Sequence, residues 1–356
     1  MKKWNDYYSI LRCLHCGGVL HASNISMNFK QYDLVNGELF CHSCSKSYPV
    51  FQDIPVMFRD NERTHLLIDS AAYATHLTKA KEKMQQVSQL ASEELNQFEN
   101  EKNLTDALSW EIFFSERWKQ KGYMEYSREE IEEYLQKDSE SGGKLLFFNK
   151  ILANSKNTSD KLLLNVGAGR DFLLEKLIEK GFKVIEQDIV LESLLSLKKR
   201  KANFCVCCDA RTLPFEDNTF DVLTCFGVLH HIWPIEEPVA EVLRVTSGNI
   251  HFNESNSFAL TTMAKSLPMP IKLKRKLRQW YKSGTSPSPY EHSINPFLFK
   301  KIIKNKGAEI IDFSFPKATW IPENSKGLKR IIRTINLMLV NIFPLFSNCF
   351  EAVVKK

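Results

Sequence analysis

The chain predicts an α/β fold, a mainly parallel sheet with helices on both faces, standing behind a small metal-bound module. Two observations carry this expectation. After Asp160, apolar strand-like runs alternate with helical patterns: KLLLNV, FLLEKLIEKG, FKVIEQ, LESLLSLKKRK and FCVCC, then FDVLTC, IEEPVAEVLRV, GNIHF, FLFKKIIKNKG and AEIIDFSF. That rhythm builds parallel sheets through crossover helices. Toward the front, four cysteines fall in two C-x-x-C pairs. At 356 residues and 43% hydrophobic content the chain can bury one large domain with an appendage, or two domains.

The front module reads LRCLHCGGVL, then about two dozen residues, then LFCHSCSKSYPVFQDIPVMF. Two such knuckles let the thiolates of Cys13, Cys16, Cys41 and Cys44 converge on a tetrahedral Zn²⁺, closing a structural site. Gly17 and Gly18 supply the turn, and Val19, Leu20, Leu39 and Phe40 the small core. With Tyr48-Pro49 and Ile54-Pro55 following, residues 9 to 58 resemble the short zinc ribbon related to the activator subunit of tRNA methyltransferases. His15 and His42 sit inside the knuckles and are read as exposed neighbours of the site rather than ligands. Cys205, Cys207, Cys208, Cys225 and Cys349 read as small, buried, reduced thiols; nine cysteines and no leader argue against a disulfide framework.

From Thr64 to Asn103 there is neither Gly nor Pro, and helix is expected. Trp110, Phe113, Phe114, Trp118, Tyr123 and Tyr126 form an aromatic cluster that either packs between domains or walls a pocket. SESGGK and NSKNTSD punctuate a short helix, LLFFNKIL. The expected division is a zinc ribbon over 1–60, a helical linker or lid segment over 61–150, and a main domain over 151–356 with a basic insertion at about 257–295.

In the main domain LNVGAGRDF follows the first strand, where α/β sheets bind ligands at the carboxyl ends of their strands. The third glycine of a dinucleotide loop is replaced by Phe172, which obstructs a pyrophosphate, and no G-K-S/T of a Walker loop is present. A nucleoside ligand without phosphates remains. Asp188, nineteen residues past Gly169, stands where a carboxylate accepts both ribose hydroxyls, and Cys208-Asp209-Ala210 ends the third strand.

GAGRD, QDI, DARTLPFEDNTFDVL and GVLHHI together resemble the successive motifs of class I S-adenosylmethionine-dependent methyltransferases, particularly the quinone-biosynthesis branch. The likeness covers residues 145–256 closely and 290–356 loosely. It implies a Rossmann-like seven-stranded sheet whose last strand, here CFEAVVKK, is antiparallel. Carried over by position, Gly167, Ala168 and Gly169 pass under the methionine part of S-adenosyl-L-methionine, and Asp188 with Ile189 bind ribose and flank adenine. Asp209 and Ala210 meet the adenine edge, and Phe226 and Gly227 lie beneath the sulfonium; Asp221 is structural. The chain departs from the family at Asn165, where an acid is usual, and at Asp171, where a glycine is frequent. Asn165 then accepts from the methionine ammonium without full charge, and Asp171 is expected to restore that charge.

Methyl transfer from a sulfonium is a direct displacement that asks for alignment and exclusion of water. His230 and His231 follow the fourth strand and suit a general base for a hydroxyl acceptor, or else pack against the next helix. Net charge is +6, yet residues 261–356 hold 18 Lys/Arg against 5 Asp/Glu. MAKSLPMPIKLKRKLRQWYKSG and LKRIIRTINLMLVNIFPLF read as basic amphipathic helices. They suit a lid or a membrane-proximal surface with a small-molecule or amphiphilic acceptor first, RNA second. A non-catalytic scaffold with a degenerate pocket is the other alternative. Without a leader or a long apolar run, the expected location is cytoplasmic, or peripheral at the inner membrane face.

Overall fold

A computed structural model of the protein describes residues 5–23, 37–59, 63–64, 74–75, 78, 111, 127–139, 143–155, 157–200, 202–259, 293–317 and 326–356. The aromatic cluster from Trp110 to Tyr126, most of the expected helical segment and the basic run from Lys272 to Lys282 lie outside the described residues. The front carries α1 (Asn5–Tyr8), β1 (Leu20–Ser23), β2 (Gly37–Cys41), β3 (Ser47–Phe51) and β4 (Ile54–Met57). Two helices follow, α2 (Arg128–Ser139) and α3 (Lys144–Ala153). The alternating part then runs β5 (Leu162–Val166), α4 (Leu174–Glu179), β6 (Lys183–Asp188), α5 (Leu191–Lys199), β7 (Phe204–Cys208) and β8 (Phe220–Phe226). After a 3₁₀ turn, Leu229–His231, come α6 (Glu236–Val245), β9 (Thr246–Ser255), α7 (Pro296–Asn305), β10 (Glu309–Ser314), α8 (Leu328–Ile342) and β11 (Cys349–Lys355).

Among the described residues eleven strands join in the order β1-β2-β3-β4-β7-β6-β5-β8-β9-β11-β10. From β7 to β10 this is the expected seven-stranded arrangement. Strands β7, β6, β5, β8 and β9 run parallel, and β11 is inserted antiparallel between β9 and β10. The count differs from seven because the ribbon does not end short of the sheet. Strand β4 pairs in parallel with β7, Val56 opposite Cys207 and Met57 opposite Cys208, and carries β1–β3 with it. The physical reason is that FCVCC is buried at every position, so without β4 it would be an apolar edge strand with unpaired backbone groups. Tyr7 stacks on Phe204 at 5.2 Å, and Arg12 donates through its backbone N–H to the Pro214 carbonyl at 2.8 Å, fastening the front further.

Each face of the sheet has its own core. One gathers Phe252, Phe299 and Phe350 under α6 and α7 together with Leu11 and Leu39 of the ribbon. The other packs Phe147 and Ile151 of α3, Leu174 of α4 and Leu194 of α5 on Leu163, Val184 and Cys205. Asn295 caps α7, its side chain accepting from the N–H groups of Phe297 and Leu298, with Pro296 in the first turn. Asp221 accepts from the Leu162 N–H at 2.9 Å, the structural role expected of it.

Candidate functional site

The glycine turn leaves the carboxyl end of β5 with Gly167 at φ +65° and Gly169 at φ +53°. A Cβ on Gly167 would lie 2.3 Å from Val228 Cγ2, whereas on Gly169 it would meet only the Gly167 carbonyl at 3.9 Å. The turn is therefore tight beneath and open above, a cradle rather than a plug. Strand β6 holds it: the Ala168 N–H donates to the Gln187 carbonyl at 2.9 Å, the Gly167 N–H to Gln187 Oε1 at 3.2 Å, and the Gly169 N–H to Asp188 Oδ2 at 2.7 Å. Burial pushes the Asp188 carboxyl up to about 6, against the N–H donors of Val190 and Gly169. Ile189 follows it, partly buried against the α3–α5 core.

At the end of β7, Asp209 is buried, which alone would raise its pKa, but its hydrogen bonds and charge pairing with Arg211 bring it below the usual range. Arg211 lies at 2.5 Å and Arg63 at 3.2 Å from Asp209 Oδ2. Ala210 is buried beside it. Asp188 and Asp209 thus stand at the carboxyl ends of neighbouring strands, as the spacing predicts. Phe226 and Gly227 end β8, where the Phe226 ring meets Phe147 edge-on at 5.1 Å and carries the Lys144 ammonium 4.4 Å above its centroid.

A polar row crosses four strands beneath α3: Glu186, Asn165, Thr224 and His251 are register partners on β6, β5, β8 and β9. Asn165 Nδ2 donates to Glu186 Oε2 at 2.8 Å, and Thr224 Oγ1 donates to Asn165 Oδ1 at 2.9 Å. Asp171 reaches the same place from the loop, Oδ1 accepting the Leu173 N–H at 2.8 Å. Its other oxygen and Glu186 Oε1 are buried without a donor. Burial raises both carboxyls, and Asp171 raises Glu186 further, so that Glu186 stands well above the ordinary value. Asp171, Asn165, Thr224, Lys144, Gly167 and Phe226 line one cavity. Glu186, one strand over, and Asp171 thus bring two carboxyls beside Asn165.

The turn after β8 is built on Glu254, a fully buried carboxylate at the end of β9. Its Oε1 accepts the N–H groups of Val228 at 2.9 Å and Leu229 at 2.7 Å, and its Oε2 stands 2.9 Å from His230 Nδ1. A carboxylate in this position accepts from Nδ1, and a neutral imidazole so held has its lone pair on Nε2. His231 Nδ1 lies 3.0 Å from Glu111 Oε1, and the two imidazole centroids are 4.2 Å apart.

At the ribbon, the ligand atoms of Cys13, Cys16, Cys41 and Cys44 all lie within 4.8 Å of one another. Sulfur separations of 3.5 Å for Cys13–Cys44 and Cys16–Cys41 come near the about 3.8 Å that about 2.3 Å metal–sulfur bonds give in a tetrahedron. Burial would raise the Cys13 thiol, but hydrogen bonds from Tyr48 and nearby backbone bring it down to about 6, and Cys41 is lowered too, while Cys16 and Cys44 are raised by the thiols beside them. His15 and His42 are exposed and stand outside the cluster.

Fold and site together define an α/β protein with an open glycine turn and two buried aspartates at the ends of neighbouring strands. Residues 164–250 match the family described as "Methyltransferase domain", and over that stretch the chain carries a methyltransferase domain. An uncharacterized protein of Methanocaldococcus jannaschii is 32% identical over 114 residues, 31% of this chain and 48% of the relative. The chain thus spans about half the length of the curated relative it matches. Among solved structures, a complex between the Haloferax volcanii Trm112 methyltransferase activator and a putative methyltransferase aligns at TM-score 0.46 and 10% identity, covering 67% of this chain and 96% of that one. An S-adenosylmethionine-dependent methyltransferase of Archaeoglobus fulgidus aligns at 0.43 and 17%, covering 69% and 100%.

Proposed function

We propose that the protein transfers a methyl group from S-adenosyl-L-methionine to a small-molecule or amphiphilic acceptor, and that a structural Zn²⁺ sits in the four-cysteine cluster. The observation that carries this is the convergence, inside the segment matching the methyltransferase family, of an open glycine cradle with Asp188 and Asp209 on successive strand ends. The residues fit the cofactor: the buried Asp171 oxygen without a donor suits an ammonium, and the turn at Gly167 has no room for a side chain. When bound, the cofactor supplies an electrophilic methyl on a sulfonium.

Gly167, Ala168 and Gly169 with Asn165 and Asp171 hold the amino-acid part, Asp188 and Ile189 the ribose, Asp209 and Ala210 the adenine, and Phe226 and Gly227 the floor below the sulfonium. His230, oriented by Glu254, takes a proton from a hydroxyl or amine acceptor at Nε2; His231 assists from the same turn. The surrounding aromatic and aliphatic side chains exclude water. This reading includes the division into a ribbon over 1–60, a helical segment over 61–150 and a transferase domain over 151–356. Calorimetry with S-adenosylhomocysteine on the wild type and on Asp188→Ala tests the pocket; no heat from the wild type ends the proposal. Tritiated methyl transfer into cell fractions sorted as lipid, RNA, protein and small molecules then reads the acceptor class, and label confined to RNA would replace the acceptor named here.

A further inference from the structure

Helix α8 turns an apolar stripe to solvent. Leu328, Ile331, Ile335, Met338 and Ile342 recur at intervals of three and four residues and are each 50–67% exposed, and Phe343 beyond them is 54% exposed. Its opposite side is seated: Val340 is 1% and Asn336 5% exposed. Scattered exposed apolar residues need no explanation, but a continuous stripe along four turns is an interaction surface. Charge selects the partner. Lys326 and Arg330 stand exposed beside the stripe, Arg333 is partly buried on the seated side with its Nε enclosed, and the helix carries no acid. Cations in the first two turns oppose the helix dipole, and Gly327 offers no side-chain cap, so these residues are not there to stabilise the helix. A second copy of the same face brings no negative charge to meet them, whereas an anionic bilayer does. No described helix is long and apolar enough to cross a membrane, so the contact is in the interfacial plane.

The stripe also leads to the catalytic edge. From Ile342 the chain passes through Pro344–Phe346 into β11, which starts opposite the carboxyl end of β9. Asn256 Nδ2 donates to the Leu345 carbonyl at 2.6 Å and the Ser347 carbonyl at 2.9 Å. Two residues before it stands Glu254, which holds His230.

We infer that α8 docks flat on an anionic membrane surface and presents the catalytic edge to it, so that the acceptor is a lipid-anchored molecule; the acceptor part rests on the methyltransferase reading. The test sediments the full chain with vesicles of phosphatidylcholine alone and of phosphatidylcholine with phosphatidylglycerol, at low and high salt. Anionic vesicles should bind about thirtyfold better, the effect expected of two cations near the surface, and salt should erase the difference. Ile335→Asp with Met338→Asp should abolish binding while melting temperature and S-adenosylhomocysteine affinity stay at wild-type values. Equal binding to both vesicle types, or a double variant that binds as well as the wild type, overturns the inference. So does a dimer that this variant dissociates without any vesicle binding, which would assign the stripe to a second copy. A wild type that binds S-adenosylhomocysteine but no vesicle defeats only the membrane surface; one that binds vesicles but no S-adenosylhomocysteine defeats only the methyltransferase reading.

Discussion

Two buried acidic clusters face the same end of the sheet, and they are built in opposite ways. Around Glu254 each carboxylate oxygen has donors, from two backbone N–H groups on one side and His230 on the other. Around Asp171 and Glu186 two oxygens have none; burial raises both carboxyls, and Asp171 raises Glu186 further. A buried carboxylate with its donors in place fixes a loop; one kept short of donors costs stability until a cation or proton arrives. The first cluster is finished by the fold; the second is left for the ammonium of the cofactor proposed here.

The largest effect expected from this contrast is on turnover. Glu254→Gln keeps an acceptor for the turn but can present an N–H to His230, reversing its tautomer. Turnover should fall about a thousandfold, within the range of general-base loss, with cofactor affinity unchanged. If stability alone moves, Glu254 only holds the loop. Next comes His251, at the far end of the unfinished row, with both ring nitrogens buried without partners. Burial first, then the Lys150 charge, lowers its pKa from 6.5 to about 4. The unfolded chain therefore takes the proton first: stability is full above the unfolded value and is lost as pH falls toward 4. The integrated loss is about 3 kcal/mol, and it should be absent from His251→Leu in denaturant titrations at pH 7 and pH 4.

Gly167 joins the two clusters, since its missing Cβ is what lets Val228 of the Glu254 turn approach. Gly167→Ala should cost about 2 kcal/mol of stability, from overpacking and a left-handed φ together, and an unchanged chemical-denaturation midpoint would refute the close packing of the two loops. The smallest effect separates the clusters most cleanly. Asp171→Asn should weaken S-adenosylmethionine about tenfold by removing a charge-assisted bond while leaving the empty protein as stable or more so. A variant that loses stability without losing affinity would place Asp171 with the finished cluster.

Much of this was legible in order along the chain. The strand rhythm, the glycine turn and the intervals to Asp188 and Asp209 are local signals, and the structure puts all of them at one sheet edge. Glu254, Glu186 and Lys144 carried no such signal. Glu254 meets His230 only because β8 and β9 are parallel neighbours, and Glu186 meets Asn165 only through the register of β5 and β6. In the sequence Asn165 looked like an acid lost; across the ladder it is an amide that holds the acid next door. The joining of β4 to β7 was hidden for the same reason, because IPVMF is too short to declare a partner.

That junction decides where the protein can be cut. The boundary suggested by the sequence near residue 60 looks like a convenient place to begin a shorter version, yet such a truncation removes β4 and the Tyr7 ring from β7. What it bares is Phe204–Cys208, a five-residue apolar strand with three thiols and an open row of amides and carbonyls. Such an edge recruits strands from other molecules. The ribbon is thus the sheet's solubility cap, and the isolated downstream part should precipitate or cross-link through Cys205, Cys207 and Cys208 rather than behave as an independent enzyme.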